Sequence, residues 1–287
     1  MSHFKKKVTL VTGGASGIGR ALGQELAKAG ATVILADIQL ENGKEAAQEI
    51  NQHHAKSGGH ATYITLDVTD ADAVQSCIDT IVQEHGRIDF VFNNAGIVLS
   101  KQAKDLTLEE WKRVMDVNVN GVIYGVQAAY QQMCRQGFGH IVNTASMAGL
   151  MPTPFMLPYA TSKYAVLGLS TSLRIEGRKE GVKVSAVCPG FIRTPLVKYI
   201  GMKELPQSKV DRVMQKLPMV TPERCAQLIL KGVRKNKAII TMPTSWHALW
   251  FFSRIFMFIP HMIGSSTISL IKKQMVREQQ SSTESKN

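Results

Sequence analysis

The chain has 287 residues, 44% of them hydrophobic, and a formal net charge of +12. That length holds one large α/β domain or two small ones and can bury a sizeable core. The four cysteines are scattered, without a CxxC or a nearby histidine pair, which argues against a disulfide framework or a zinc site and fits a reducing, cytoplasmic compartment.

The first seven residues are basic but carry no apolar h-region, so they are not read as a secretory signal. Val8-Thr9-Leu10-Val11-Thr12 is a β-branched, apolar run of the kind that forms a buried parallel strand. Gly13-Gly14-Ala15-Ser16-Gly17-Ile18-Gly19 follows, and helical spacing resumes from Arg20. Strand, glycine-rich turn and helix in that order form a pyrophosphate cradle, because glycines let the backbone approach closely and the helix start offers free N–H groups. A second strand over 32–36 ends at Asp37. A carboxylate there would accept hydrogen bonds from both hydroxyls of an adenosine ribose and repel a 2′-phosphate, which favours NAD over NADP. Arg20 is the nearest residue that would hold such a phosphate.

The alternation repeats, with a helix over 41–54, a strand over 61–66 ending at Asp67-Val68, a helix over 71–85 and a strand over 88–92 closing on Asn93-Asn94-Ala95-Gly96. This predicts right-handed βαβ units and a doubly wound, Rossmann-like parallel sheet. Asp37, Asp67 and Asn93 would converge on the carboxyl edge, where ligands of such sheets bind.

Residues 141–146 read as a strand running into a loop at Ser146, and Tyr159-Ala160-Thr161-Ser162-Lys163 follows. Lys163 lies one helical turn after Tyr159, on the same face. Its charge is expected to lower the phenol pKa from near 10 and make Tyr159 a base, while Ser146 hydrogen-bonds the same substrate oxygen. Residues 182–187 form a sixth strand, followed by Cys188-Pro189-Gly190-Phe191-Ile192-Arg193-Thr194-Pro195.

Taken together, Thr12 to Gly19 as TGxxxGxG, Asn93 to Gly96 as NNAG, Tyr159 to Lys163 as YxxxK, Pro189-Gly190 as PG and Asn118-Val119-Asn120-Gly121 as NxxG resemble the short-chain dehydrogenase/reductase family, in order, over residues 7–195. The resemblance implies an NAD-dependent enzyme in which Tyr159 is the acid/base. Lys163 tunes it and binds the nicotinamide ribose, Ser146 orients the substrate oxygen and Asn118 serves a water-mediated proton relay. It also implies a cofactor site of Gly13, Ser16, Gly17, Ile18, Gly19, Asp37, Asp67, Val68, Asn94, Ala95, Gly96, Tyr159, Lys163, Pro189, Gly190, Ile192 and Thr194. The family's subunits commonly pair as homodimers or homotetramers through helices corresponding here to 118–133 and 159–178.

Residues 149–158 are apolar, with three prolines, and 196–219 would form a lid. Met151, Phe155, Met156, Leu196 and Tyr199, with Ser146 and Tyr159, outline an apolar pocket for a secondary alcohol or ketone of steroid, retinoid or other lipid-like character. A helix over 222–235 and a strand over 238–242 complete a domain of residues 1–245. Residues 246–278 are rich in aromatics but interrupted by Arg254 and Pro260, which disfavours a spanning helix. They would cover the cleft or another subunit, or lie in a membrane interface beside Lys272, Lys273 and Arg277. Residues 279–287 read as disordered. Nucleic acid is not an expected partner, because no aromatic and basic interleaving forms a stacking platform. The alternatives are an NADP-dependent carbonyl reductase and a catalytically silent nucleotide-sensing or membrane scaffold.

Overall fold

The computed structural model describes residues 2–54, 58–196, 219–242, 250–252 and 256. Its strands are β1 (Val8–Thr12), β2 (Thr32–Asp37), β3 (His60–Thr65), β4 (Phe90–Asn93), β5 (Gly139–Thr144), β6 (Val182–Pro189) and β7 (Ile239–Met242). They form one seven-stranded sheet in the order β3-β2-β1-β4-β5-β6-β7. Every pairing is parallel. The helices are α1 (Gly17–Lys28), α2 (Leu40–His54), α3 (Ala71–His85), α4 (Leu108–Met115), α5 (Gly121–Gln136), α6 (Leu157–Gly177) and α7 (Pro222–Arg234).

Strand side chains alternate between faces, and here both faces are buried, so the strands read as continuous apolar runs. Val11, Val33 and Leu35 pack with Leu22 and Leu26 of α1, Ile50 of α2 and Ile229 of α7. Their neighbours Leu10 and Ile34 face the other way, with Ile78 of α3, Val126 of α5 and Val166 of α6. Each fully buried aliphatic side chain contributes about 1.5–3 kcal/mol relative to exposure, so the two layers fix the sheet from both sides.

Local sequence sets several boundaries. Asp70 caps α3 by accepting from Ala73 N at 2.9 Å, and Gly86, at φ 72°, ends it in the left-handed conformation. Thr107 and Glu110 form a capping box at the start of α4. Between α4 and α5 the chain widens into a π-helical turn, Asp116–Asn120, which carries Asn118. The sheet order reverses between β1 and β4, creating the crevice at the carboxyl edge where such sheets receive ligands. Leu196 is the last described residue of its segment. The expected lid and Tyr199 lie outside the described residues, as does most of 246–278 and all of 279–287.

Candidate active site

The carboxyl ends of β1, β2, β4, β5 and β6 present Thr12, Asp37, Asn93, Thr144 and Pro189 along one edge. Thr12 organises the first crevice. Its Oγ1 accepts from Asn94 N at 2.9 Å and Ala95 N at 3.1 Å, and its carbonyl accepts from Asn94 Nδ2 at 3.0 Å. The glycine-rich turn therefore rests directly on the Asn94-Ala95-Gly96 segment. Gly13 and Gly17 have φ of 65° and 53°, where only glycine is unstrained. A Cβ on Gly19 would lie 2.1 Å from the Gly13 carbonyl oxygen, so only hydrogen fits between turn and helix.

Ser16 precedes α1 in extended backbone and makes no side-chain cap. Ser16 thus leaves the first-turn N–H groups of α1, among the described residues, to an external acceptor, as an anion-binding helix start requires. Thr194, beyond β6, closes on this turn, with its Cγ2 3.2 Å from the ideal Cβ position of Gly17. Ile192, beside it, is buried and bridges to Val220. The cradle fits a dinucleotide, whose pyrophosphate Gly13, Ser16, Gly17, Ile18 and Gly19 would hold.

Asp37 is buried at the end of β2. Its carboxylate accepts from Ala15 N and Gln39 N, each at 3.1 Å, which fixes it against the turn. Arg20 ion-pairs with Glu45 at 3.5 Å and with Glu49, both on α2. Asp67 lies two residues beyond β3 and folds an Asx turn through Thr69 N and Thr69 Oγ1 at 2.9 and 2.8 Å, with Val68 next to it. Gly121 abuts Val68, whose Cγ2 lies 2.8 Å from the glycine's ideal Cβ position. Gly190 N is tied to the Met242 carbonyl at 2.8 Å, anchoring the Pro189-Gly190 corner to β7.

The second crevice holds the candidate reactive groups. Tyr159 and Lys163 lie on α6, with the Lys163 ammonium 5.6 Å from the Tyr159 ring centroid. Lys163 is buried and donates to the Thr144 carbonyl at 2.8 Å. Ser146 caps a short turn by accepting from Ala148 N at 3.1 Å, and its hydroxyl donates to the Pro189 carbonyl at 3.4 Å. Asn118 is fully buried. It bonds the Ile97 backbone in both directions at 2.8 and 2.9 Å, and donates to Ser162 Oγ at 3.0 Å. Ser162 in turn donates to the Tyr159 carbonyl at 2.7 Å, so Asn118 is linked to the turn of α6 that carries the phenol. An ideal Cβ on Gly96 would sit 3.2 Å from Asn118 Oδ1 and 3.4 Å from Lys163 Nζ, so Gly96 lies between these two side chains.

One expectation is corrected. Burial pushes the Tyr159 phenol up from its ordinary value, and the nearby Ser146 hydroxyl opposes this without reversing it. The Lys163 ammonium is itself brought down to about 8 by burial. Sequence reasoning also passed over Thr12, Thr144, Ser162 and Cys188. The Cys188 thiol is fully buried on β6 and pushed up to about 12 by desolvation. A hydroxyl at the end of an otherwise apolar strand was the available signal for the threonines. Of the proposed pocket residues, Met151, Phe155 and Met156 lie in the loop between Ser146 and Tyr159, half-buried, and Leu196 follows the β6 corner.

The profile of the short chain dehydrogenase family matches residues 7–205, and the chain belongs to that family. The probable oxidoreductase EphD of Mycobacterium tuberculosis is 36% identical over 88% of this chain, which spans 44% of EphD's length. Cyclopentanol dehydrogenase of a Comamonas species is 38% identical over 72% of this chain and 81% of its own. Among solved structures, a Burkholderia phymatum short chain dehydrogenase/reductase in complex with NAD superposes with a TM-score of 0.77. It shares 26% identity over 87% of this chain and 93% of its own.

Proposed function

We propose that the protein is an NAD-dependent oxidoreductase that interconverts an apolar secondary alcohol and its ketone. The observation that carries the reading is the pairing of Tyr159 with Lys163 one helical turn later on α6, the ammonium buried, 5.6 Å from the phenol ring and fixed by the Thr144 carbonyl. When bound, the nicotinamide ring supplies the hydride acceptor or donor. In reduction the Tyr159 phenol gives its proton to the carbonyl oxygen while Ser146 holds the same oxygen, and oxidation, which needs the phenolate, runs the two groups in reverse. Thr144 fixes the Lys163 ammonium beneath the phenol, and Asn118, through Ser162, fixes the first turn of α6.

Asp37 supports NAD in preference to NADP, because a buried carboxylate beside the turn repels a 2′-phosphate. Arg20, the candidate phosphate ligand, is occupied by Glu45 and Glu49. The apolar loop between Ser146 and Tyr159, together with the likeness to a cyclopentanol dehydrogenase, supports a cyclic or otherwise hydrophobic alcohol.

We extend the reading to a homo-oligomer joined through α5 and α6. On the exposed face of α6, Ile175 is 77% exposed and an added Cβ on Gly168 would meet open space. Phe251 and Phe252 are also more than half exposed and favour a peripheral membrane contact for the carboxyl-terminal extension. Among the described residues no helix is long and apolar enough to cross a membrane.

The test is a fluorescence titration with NADH and NADPH, followed by oxidation of cyclic secondary alcohols with the preferred nucleotide. The proposal requires tighter NADH binding and turnover with NAD. Preference for NADPH would redirect it to a carbonyl reductase, and binding of neither would leave a scaffold.

A further inference from the structure

The loop from Ser146 to Tyr159 contains an unusual backbone. Phe155 has φ 65°, in the left-handed region. A bulky residue is a genuine outlier there, because its Cβ crowds the following carbonyl. Glycine would fit that conformation without strain, yet the chain keeps an aromatic ring. Such strain persists only where surrounding structure over-determines it, and it concentrates at functional sites.

The surrounding structure is visible. Lys101 N donates to the Phe155 carbonyl at 2.7 Å. The Lys101 ammonium reaches both carboxylate oxygens of Glu110 at 2.9 Å. Glu110 is itself fixed in the capping box of α4, accepting from Thr107 N at 2.9 Å. One residue after Phe155, the Met156 carbonyl accepts from Ala160 N at 2.8 Å and starts α6, the helix of Tyr159. Phe155 is therefore pinned at a point where the loop, α4 and the catalytic helix meet.

We propose that Lys101 is a positioning residue of the substrate site, whose main-chain N–H and ammonium clamp the strained Phe155 to α4 and hold residues 151–156 as the apolar wall that selects ring-bearing secondary alcohols. This rests on the alcohol–ketone reading above. The wall explains why an aromatic is kept where glycine would be unstrained. The ring supplies contact area to substrate, and the clamp keeps that area fixed instead of letting the loop relax.

The experiment uses the full chain with saturating NAD and two probes, cyclopentanol and cyclooctanol. Lys101→Met should raise KM for cyclooctanol about tenfold, the scale of a few lost apolar contacts, with kcat and NADH affinity unchanged. Lys101→Arg, which retains the pair to Glu110, should restore the wild-type KM. Equal losses in KM, kcat and NADH affinity, or an arginine variant as impaired as the methionine one, would mean a structural role alone and overturn the proposal. Phe155→Gly, whose backbone fits without strain, should bring the kcat/KM ratio of the two alcohols toward one, and an unchanged ratio would also overturn it. If the wild-type protein oxidises neither probe, the functional reading fails and hydrogen exchange decides the clamp. Lys101→Met must then accelerate exchange of amides 151–160 while leaving 13–19 protected, and unchanged exchange overturns it.

Discussion

Adding one methyl group at Gly19 tests the nucleotide cradle most cleanly. In the structure its Cβ would lie 2.1 Å from the Gly13 carbonyl oxygen and 2.8 Å from Asn94 Nδ2. Ordinary contacts settle near about 3.5 Å, so the turn and α1 must separate by more than about 1 Å. Overpacking of this kind costs about 1–3 kcal/mol, which a typical domain survives folded. The same displacement moves the N–H groups that would meet the pyrophosphate. Losing one such charge-assisted bond is worth about 1.5–3 kcal/mol, or about 10- to 100-fold in affinity. Gly19→Ala should therefore weaken NADH binding by that factor, while the melting temperature falls by about 2–8 °C. Fluorescence titration and thermal melting in the same buffer give both quantities. Wild-type NADH affinity in a folded Gly19→Ala variant would refute the placement of the cofactor on this turn.

Other consequences follow from the core and from the exposed face of α6. His140, 2% exposed, bonds Ser185 Oγ at 2.9 Å, and burial with nearby Lys183 and Arg174 brings its pKa down to about 3. Because Ser185 spends its proton on the Lys237 carbonyl at 2.6 Å, His140 Nε2 is the donor and the ring is neutral. The unfolded chain binds a proton near 6.5 that the native one refuses until about 3. Stability should thus fall on acidification across that window, by up to about 1.4 kcal/mol per pH unit. Urea denaturation of wild type and His140→Gln on both sides of pH ~6 measures this, and equal slopes in the two proteins would contradict it. Gly168→Ala should reduce the mass of the assembly in light scattering if α6 is the contact between copies. A monomer would instead gain about 0.5–1 kcal/mol from the better helix former.

Much of this architecture was legible because each strand is a run buried on two faces. The first strand, Val8–Thr12, and the third helix, Ala71–His85, carry the bounds read from sequence, the helix with an aspartate before it and a glycine after. The fourth strand begins at Phe90, not Ile88. Ile88 N bonds the Gln136 side chain at 3.0 Å and Asp89 N reaches only Val8 O, ahead of the paired register. The helix Leu108–Met115 escaped sequence reading. It is short and charged, and its first residue is 82% exposed, so no apolar stripe announces it. The π-turn at Asn118 depends on packing against Ile97 and Ser162, which are distant in sequence.

At the site, the motif residues were identified by residue type and spacing, but their partners were not. Lys163 bonds a backbone carbonyl and Arg20 binds two glutamates of the second helix. Both contacts arise only when separate elements pack. The pKa direction of Tyr159 was missed for the same reason, since burial is a property of the folded cleft.

The central claim is that Tyr159 performs proton transfer in an NAD-linked alcohol–ketone reaction. It is tested most directly by measuring NADH affinity and alcohol turnover of wild type and Tyr159→Phe side by side. The account predicts turnover lower by about 10²–10⁴ in the variant, the usual contribution of a positioned acid/base, with NADH affinity nearly unchanged. A fully active Tyr159→Phe protein would contradict it.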